Sequence, residues 1–341
     1  MPPQKTSSVT IRDVARYAGV SVATVSRVLN NKAFIAPNTH QRVEKAITDL
    51  NYVPRAAARS LSRNETNVIG LLLPEIGWDN FFPPMLQGIE AGCYETSFNL
   101  LIHSTSHVLP HSPAHHPIGE HNTDGLIVFT DALQDDEIVR LYQAGFPLVL
   151  LHRSPPKALS IPHVVFENKA GARKMTDHLI EVHGYRKIAF LAGPQHNEDA
   201  RWRELGYRES LAAHGITFDP SLIRSGHFDE MIARQTMDAW LAEGFQADAI
   251  FAADDDSAYG AVHAVLDSGR QIPDEIPVVG FDDSPTSRLL LPPLTTVCAP
   301  IQQAGNKAAQ LLGQLIRTGR AELEVLLPTE LVVRRSCGCN S

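Results

Sequence analysis

Hydrophobic residues near the N-terminus recur at the spacing of one helix face. Ile11, Val14, Ala15 and Ala18 stand at positions i, i+3, i+4 and i+7, which predicts a short helix with one buried side. Gly19 then interrupts this period, as expected of a residue that ends a helix and begins a turn.

A second helix is predicted directly after this turn, over about residues 22–30. Ser21 can cap it by accepting hydrogen bonds from free backbone N–H groups, while Val25, Val28 and Leu29 would face inward. Two short helices around a glycine turn are typical of a helix-turn-helix, whose second helix fits the major groove of DNA.

A third helix completes a predicted all-α headpiece over residues 1–50. Pro37 suits its first turn, where the missing N–H costs nothing, and Val43 and Ala46 would lie on its buried side. The following segment, 51–63, contains good helix formers over only two turns, too few for a helix that persists alone in water. It is predicted to be a short helix or linker.

Beyond residue 64, short continuous apolar runs alternate with helical periods. Such runs are typical of strands buried on both faces, and the alternation predicts two series of parallel βαβ units. The predicted strands are 68–74, 99–102, 124–129, 147–151, 187–192, 249–253, 277–281 and 330–334. The predicted helices are 83–96, 135–144, 172–183, 201–214, 257–267 and 304–318.

Composition agrees with a globular protein of two or three domains. The 341 residues are 43% hydrophobic and 20% charged. No apolar run reaches about 18 residues, so no membrane span is predicted. The N-terminal MPPQKTSS lacks the apolar core of a secretory signal, and we expect the protein to stay in the cytoplasm.

Charge is divided unevenly along the chain. Residues 1–63 hold ten Lys and Arg against three acidic residues, a net charge of +7. The remaining residues hold twenty against thirty-five, a net charge of −15. A basic headpiece is attracted to phosphates and an acidic core is repelled by them, which favours DNA as the partner of the headpiece alone.

The N-terminal motif D-V-A-x-x-A-G-V-S-x-x-T-V-S-R-V-L-N, from residue 13 to residue 30, resembles the signature of the LacI/GalR family of bacterial repressors. The resemblance continues to P-P-L-T-T-V at 292–297. It implies a periplasmic-binding-protein-like α/β core, residues 64–341, with two parallel-sheet subdomains. Their expected ranges are about 66–168 with 298–325, and about 169–297 with 326–341. The alternative is a chance helical hairpin within another fold.

The resemblance and the helix pattern together nominate DNA-binding residues. Arg27 could pair with guanine O6 and N7, whereas Val22 and Ala23 suit thymine methyl groups. The hydroxyls of Ser21, Thr24 and Ser26 would contact DNA phosphates. The remaining nominated residues are Thr10, Ser21, Thr24, Ser26, Asn30 and Tyr52.

The resemblance also implies that 51–63 is a hinge helix that folds when two subunits meet on DNA. Leu61 would then push between base steps in the minor groove, and Ala58 would lie against its floor. The alternative is a flexible linker with Leu61 packed on the core.

Effector-binding residues are expected just after the strands, because open α/β sheets bind ligands at the carboxyl ends of their strands. The resemblance implies that Arg203 holds the ligand and that Phe82 provides a stacking face. The alternatives are a surface arginine and core packing. The full set of expected effector-binding residues is Asn80, Phe82, His152, Arg153, Arg201, Arg203, Asp254 and Asp282.

Three features depart from the family pattern. Asp254 stands where relatives usually have Asn, and an acceptor-only carboxylate there favours a hydroxyl-rich or cationic ligand. His152 stands where relatives often have Asp. The alternative for Asp254, and also for Asp282, is that each carboxylate only caps the following helix and binds no ligand. The His- and Pro-rich stretch 103–121 replaces an expected helix, and its prolines predict an irregular exposed loop, with a metal or pH sensor as the alternative.

The cysteines give no clear cofactor site. Cys337 and Cys339 form a C-x-C, and a metal site would need further ligands nearby. We therefore expect reduced thiols and neither metal nor cofactor.

The whole pattern predicts a homodimeric, ligand-responsive transcriptional regulator and no enzyme. No leucine heptads suggest a tetramer, and G-x-S-x-G, G-x-G-x-x-G and P-loop motifs are missing from the sequence. The partners would be near-palindromic operator DNA and a small effector, expected to be a sugar. A purine, nucleoside or sugar phosphate is the alternative effector, and a free sugar-binding protein or an α/β enzyme is the alternative class.

Overall fold

The computed structural model describes residues 9–29, 35–52, 65–74, 80–105, 118–156 and 159–340. Contacts divide the chain into two compact units, Met1–Thr66 and Asn67–Ser341. The predicted residues Asn30, Ala58 and Leu61 lie outside the described residues, as do most of segment 51–63 and residues 106–117 of the His- and Pro-rich stretch.

The first unit is the predicted all-α headpiece. Its helices are α1 (Ile11–Ala18), α2 (Val22–Leu29) and α3 (Pro37–Asp49). Val14, Val25, Val43 and Ala46 are fully or almost fully buried at the centre of the three helices. The amphipathic spacing of these residues therefore produces the packing that it predicted.

The second unit alternates strands and helices. The strands are β1 (Val68–Leu73), β2 (Asn99–Ser104), β3 (Gly125–Phe129), β4 (Leu148–Leu151), β5 (His163–Phe166), β6 (Ile188–Ala192), β7 (Ile223–Ser225), β8 (Ala249–Ala252), β9 (Val278–Val279), β10 (Thr296–Cys298), β11 (Glu324–Leu327) and β12 (Glu330–Val332). The helices are α4 (Phe82–Glu95), α5 (Asp135–Gln143), α6 (Asn168–Glu181), α7 (Glu198–Ala213), α8 (Glu230–Ala242), α9 (Asp255–Asp267) and α10 (Ile301–Thr318).

Two parallel sheets organise this core into lobes. In the described ranges, the sheet of the first lobe has the order β11-β5-β4-β3-β1-β2, and that of the second lobe has the order β7-β6-β8-β9. Leu71 of β1 pairs with Ile102 on one side and Ile127 on the other. Strands β3, β4 and β8 are buried along their whole length, as their continuous apolar runs predicted.

The chain passes between the lobes after β5, between β9 and α10, and between β11 and β12. The antiparallel pair β10–β12 lies within these crossing segments. The first sheet includes β11, so this lobe reaches Leu327, just past the predicted end at about residue 325. The carboxyl ends of strands from both sheets meet at the cleft between the lobes.

The sequence missed five strands and helices of the core. Strands β5, β7, β10 and β11 have only three or four residues each, and helix α8 was not predicted. Helix α6 starts at Asn168, earlier than predicted, and α7 starts at Glu198. None of the helices in the described ranges has both the length and the hydropathy of a membrane span.

Helices α4 and α10 pack with their backbones in close approach. A Cβ at Gly88 would lie 1.9 Å from the carbonyl oxygen of Gln302, and one at Gly305 would lie 2.4 Å from that of Met85. Only glycine fits at these two positions, because the neighbouring atoms are backbone that cannot rotate away. This seam holds the last long helix against the first sheet.

We predict that Gly88→Ala destabilises the core by about 1–3 kcal/mol, because the added methyl group forces the two helices apart. Urea unfolding of the full chain measures the effect. Gly119→Ala is the matched control, since a Cβ there meets no atom within 4 Å. Equal stability of the two variants would contradict the role of the seam.

Candidate functional site

The turn between α1 and α2 is fixed by its own backbone. Gly19 has φ of +62°, a conformation that glycine adopts without strain. The N–H of Val20 donates to the carbonyl of Ala15, and Arg42 donates to the carbonyl of Ala18 at 2.6 Å. The backbone N–H of Thr24 donates to Ser21 Oγ at 3.1 Å, which confirms the predicted cap.

The free face of α2 presents small and polar side chains around one cation. Val22, Ala23 and Arg27 are exposed, and Thr24 and Ser26 are half-buried. Val25 and Val28 of the same helix are buried, so the helix has one face in the core and one face available to a duplex. This arrangement suits a recognition helix that enters the major groove.

Two predicted DNA contacts have structural roles in the headpiece. Tyr52 is only 6% exposed and packs in the headpiece core, and its contact with DNA stays a prediction. Thr10 precedes α1 and donates to the carboxylate of Asp13 through both its N–H, at 3.0 Å, and its hydroxyl, at 2.6 Å. Thr10 is nevertheless exposed and remains available to a phosphate.

A cavity of about 200 Å³ lies at the carboxyl ends of strands from both lobes. Aromatic side chains form much of its wall, and acidic groups, one arginine and histidines give it polarity. Its lining residues are Pro74, Phe81, Phe82, Phe129, Thr130, His152, Asn197, Asp199, Arg203, His227, Phe228, Asp254, Asp256 and Asp282.

Arg203 is the buried cation of this site. It is 2% exposed and its Nη2 donates to Asp282 Oδ1 at 2.8 Å. Its Nη1 donates to the carbonyl of Ala253 at 2.7 Å and its Nε donates to Asn168 Oδ1 at 2.8 Å. The ring centre of Phe281 lies 3.9 Å from the guanidinium carbon. Most of the fork is therefore engaged by the protein itself.

A second polar chain joins the two lobes through Asp199. Its Oδ2 lies 2.8 Å from His152 Nδ1, and its Oδ1 accepts from the amide of Asn168 at 2.8 Å. Because a carboxylate faces Nδ1, that nitrogen carries the proton. Asn168 in turn accepts from Arg203, so one continuous network runs from His152 to Asp282.

His152 keeps one nitrogen free for a ligand. Its Nε2 is buried and has no hydrogen-bond partner among the described residues. The rings of Phe81 and Phe166 pack edge-on against the imidazole, with centroids 5.2 and 4.5 Å away. An unpaired buried polar atom is costly, which makes Nε2 of His152 a candidate contact for a bound molecule.

Strained backbone accompanies several cavity residues. His152 has φ of +60° and Asp282 has φ of +110°, and His227 and Phe228 are also left-handed. Residues other than glycine rarely hold such angles, and those that do cluster at binding sites. These turns aim side chains into the cavity that a regular strand end would direct elsewhere.

Burial controls the protonation of the cavity acids. Removal from water raises the pKa of Asp254 to about 8, although the hydrogen bond from Ser257 opposes this. Burial also raises the pKa of Asp282 to about 6, against the lowering effect of Arg203. The pKa of Asp255, next to the cavity, lies well above its ordinary value for the same reason. Asp254 is therefore mostly protonated at neutral pH and can donate one hydrogen bond.

Polar contacts across the cleft hold the lobes together around the cavity. Each joins a residue after a strand of the first lobe to one near a helix start of the second lobe. Besides the pair of His152 and Asp199, Asn80 Nδ2 donates to Asp256 Oδ1 at 2.8 Å, Ser154 Oγ donates to Glu198 Oε1 at 2.6 Å, and His196 Nε2 lies 3.2 Å from Asp131 Oδ2.

The structure places the eight predicted effector residues in different surroundings. Five line the cavity, namely Phe82, His152, Arg203, Asp254 and Asp282. Asp254 also caps α9 by accepting from the N–H of Ser257 at 3.3 Å, as the alternative interpretation predicted, and its contact with an effector stays a prediction.

The other three predicted residues lie outside the cavity wall. Arg153 and Arg201 line an adjoining open groove of about 740 Å³. Arg153 is engaged by the carbonyls of Thr130 and Leu133 and by Asp135, and Arg201 donates to the carbonyl of His196. Asn80 is engaged across the cleft by Asp256.

Nine of the fourteen wall residues, and Asn168 of the network, were not among the predicted effector-binding residues. Asp199 and Asn168 lie at the starts of α7 and α6, where the strand-end rule could have found them. His227 and Phe228 follow β7, which the sequence pattern did not reveal. The Phe228 ring lies against Gly193 and Arg203, a contact that depends on the left-handed turn.

Comparison with known proteins matches both units. Residues 10–55 match the family model described as "Bacterial regulatory proteins, lacI family", and residues 176–337 match the "Periplasmic binding protein-like domain". The "Ribose operon repressor" of Halalkalibacterium halodurans is 35% identical over 96% of each chain.

Solved structures show the same architecture. A lac repressor dimer bound to operator and the anti-inducer ONPF superposes with a TM-score of 0.82, at 28% identity over 97% of this chain and 99% of that one. A transcriptional regulator CelR–cellobiose complex gives a TM-score of 0.70, at 31% identity over 96% and 99%.

The raised pKa of Asp254 predicts a pH-dependent stability. A carboxyl whose folded-state pKa exceeds its ordinary 3.8 contributes stability at low pH that is lost as pH rises through about 8. We expect the thermal midpoint of the wild-type chain to fall over this range, and Asp254→Asn to reduce the fall. The exposed Asp274→Asn is the control. The same pH slope in wild type and Asp254→Asn would contradict the assignment.

Proposed function

Because the chain belongs to the lacI family of bacterial regulatory proteins, it is a sequence-specific DNA-binding transcriptional regulator, and we propose that a single small sugar in the core cavity controls it. We further propose that it acts as a homodimeric repressor of carbohydrate-utilisation genes in the cytoplasm. The domain division proposed is a headpiece of residues 1–50, a hinge segment of 51–63 and a core of 64–341 with two subdomains.

The observation that carries the sugar proposal is the unpaired Nε2 of His152 opposite buried carboxyl groups in an aromatic-walled cavity. Sugar rings carry hydroxyls at their edges, which donate and accept hydrogen bonds. They also have apolar C–H faces, which pack on aromatic rings. His152 accepts from one hydroxyl, while Asp254 and Asp282 pair with others across the cavity. The wall and the polar groups together thus suit a sugar.

Size and charge narrow the choice further. The cavity of about 200 Å³ is smaller than the roughly 300–1,000 Å³ typical of pockets for drug-sized ligands, which favours one sugar ring. Four carboxyl groups line it, and the guanidinium of Arg203 already donates to Asp282, Ala253 and Asn168. The phosphate of a sugar phosphate would be repelled by these carboxyl groups, and the cavity has little free positive charge to pair with it. The aromatic wall leaves a purine as the second candidate.

In this proposal Arg203 is a positioning residue for the ligand. Its bonds to Asp282 and Asn168 hold both acceptors in place, and Asn168 in turn orients Asp199 and so His152. This differs from the simple expectation that the guanidinium fork holds the ligand directly. The effector contacts belong to His152, Asp254 and Asp282.

The exposed face of α2 would read operator bases. Arg27 is the long cationic side chain there and would pair with guanine, while Val22 and Ala23 lie against the groove floor. Ser21, Thr24, Ser26 and Thr10 would contact phosphates. A dimer places two such helices on the half-sites of a near-palindromic operator.

Selection of binding sites from a random duplex pool tests the DNA proposal. The full-length protein is expected to enrich one near-palindromic sequence. Arg27→Ala should lower affinity for it by roughly tenfold and relax the base preference at the position it contacts, whereas Arg12→Ala removes the same charge from exposed α1 and should keep the preference. A pool with no enriched sequence, with and without sugars, would contradict the function.

A thermal-shift screen with sugars, purines and sugar phosphates tests the effector proposal, since a ligand of the native form raises the midpoint. We expect a monosaccharide to do so and His152→Phe to weaken its affinity by roughly tenfold or more, because Nε2 is lost. His263→Phe at an exposed position is the control. Unchanged affinity in His152→Phe, with operator binding retained, would refute this site.

A further inference from the structure

Four potential metal ligands converge in the second lobe, outside the effector cavity. His178 lies in the last turn of α6 and His183 follows the end of that helix, while Cys337 and Cys339 belong to the C-terminal tail. One side-chain donor atom of each residue lies within 4.8 Å of those of the other three. Residues more than 150 positions apart in sequence thus meet at one point.

The spacing of the donor atoms fits a tetrahedral ion. Cys339 Sγ lies 3.5 Å from His183 Nε2 and 3.8 Å from His178 Nε2. With Zn–S of about 2.3 Å and Zn–N of about 2.0–2.1 Å, a tetrahedron places sulfur and nitrogen about 3.6 Å apart. These two distances lie on both sides of this value, and the remaining donor pairs lie within 4.8 Å.

The backbone explains why the two thiols face the same way. Cys337 ends a short 3₁₀ turn, and Gly338 then reverses the chain with φ of +102°. A Cβ at Gly338 would lie 3.5 Å from the ring of His183, so the tail runs directly over that imidazole. Gly338 therefore brings both sulfurs of the C-x-C to the histidine pair.

Surrounding groups support the donors as a metal site requires. Thr295 Oγ1 lies 3.1 Å from Cys337 Sγ and 2.9 Å from the carbonyl oxygen of Arg334, so its proton is within reach of the sulfur, and such bonds orient a ligating sulfur. The ring of Tyr185 stacks on that of His183, with centroids 5.2 Å apart. Two imidazoles and two thiols without a carboxylate form a set that selects Zn²⁺ over Mg²⁺ or Ca²⁺.

We propose that His178, His183, Cys337 and Cys339 bind one structural Zn²⁺ per chain. All four ligands come from the protein, so the ion has no open position and acts as a clamp. It fastens the C-terminal tail, which follows β12, to the end of α6. The C-x-C alone gave no reason to expect a metal, and the fold supplies the two missing histidines.

Metal analysis of the full-length protein tests the site. The chain is purified under reducing conditions without chelator, incubated with zinc chloride and dialysed, and we expect one zinc per chain. Cobalt chloride added to chelator-treated protein should give the intense visible absorption of tetrahedral Co²⁺ and a thiolate charge-transfer band. Zinc content near zero, or a weak spectrum typical of octahedral Co²⁺, would overturn the proposal.

Variants distinguish the cluster from other thiols and imidazoles. Cys339→Ser and His183→Asn should each weaken zinc binding by more than about 100-fold, since changes outside the ligand shell already cost about 10–100-fold. Cys298→Ser and His263→Asn, which lie outside the cluster, should keep full zinc content. Equal zinc content in all four variants, or a Cys337–Cys339 disulfide in the protein as purified, would refute the site.

Discussion

The buried guanidinium of Arg203 holds together the strand ends that form the cavity face of the second lobe. A cation that is 2% exposed must be fully paired, because an unpaired buried charge costs several kcal/mol. Its partners come from the end of β8, the loop after β9 and the start of α6, all held to one arginine of α7. The network fixes where three strand ends lie and therefore where a ligand can be met.

Protonation changes the chemistry that the residue types alone suggest. The residue type alone suggests that Asp254 is a carboxylate, which would only accept hydrogen bonds. Burial raises its pKa to about 8, so the neutral carboxyl group can donate as well as accept, much as an amide does. Asp282 stays closer to the ionised form because Arg203 faces it. Two aspartates of one cavity thus offer different hydrogen-bonding patterns.

The sequence predicted the elements whose pattern is long and periodic, and it failed where tertiary contacts decide. The three headpiece helices and the buried strands follow from apolar spacing, and strand ends together with the family resemblance led to five cavity residues. Strand β7 has three residues, too few to show a period, and the left-handed turn at His227 and Phe228 follows it. Tyr52 at the end of the headpiece packs inward, a burial that the sequence pattern did not indicate.

Control by a ligand depends on which side of the cleft each contact belongs to. His152 extends from the first lobe, whereas Asp254 and Asp282 belong to the second, so a molecule bound to all three bridges the lobes. A ligand shifts a conformational equilibrium only through contacts that differ between the two states. Contacts to one lobe alone persist when the cleft opens and contribute nothing to that difference. In the proposed site, a ligand that pairs with Nε2 of His152 and with an aspartate of the second lobe would therefore favour the closed cleft.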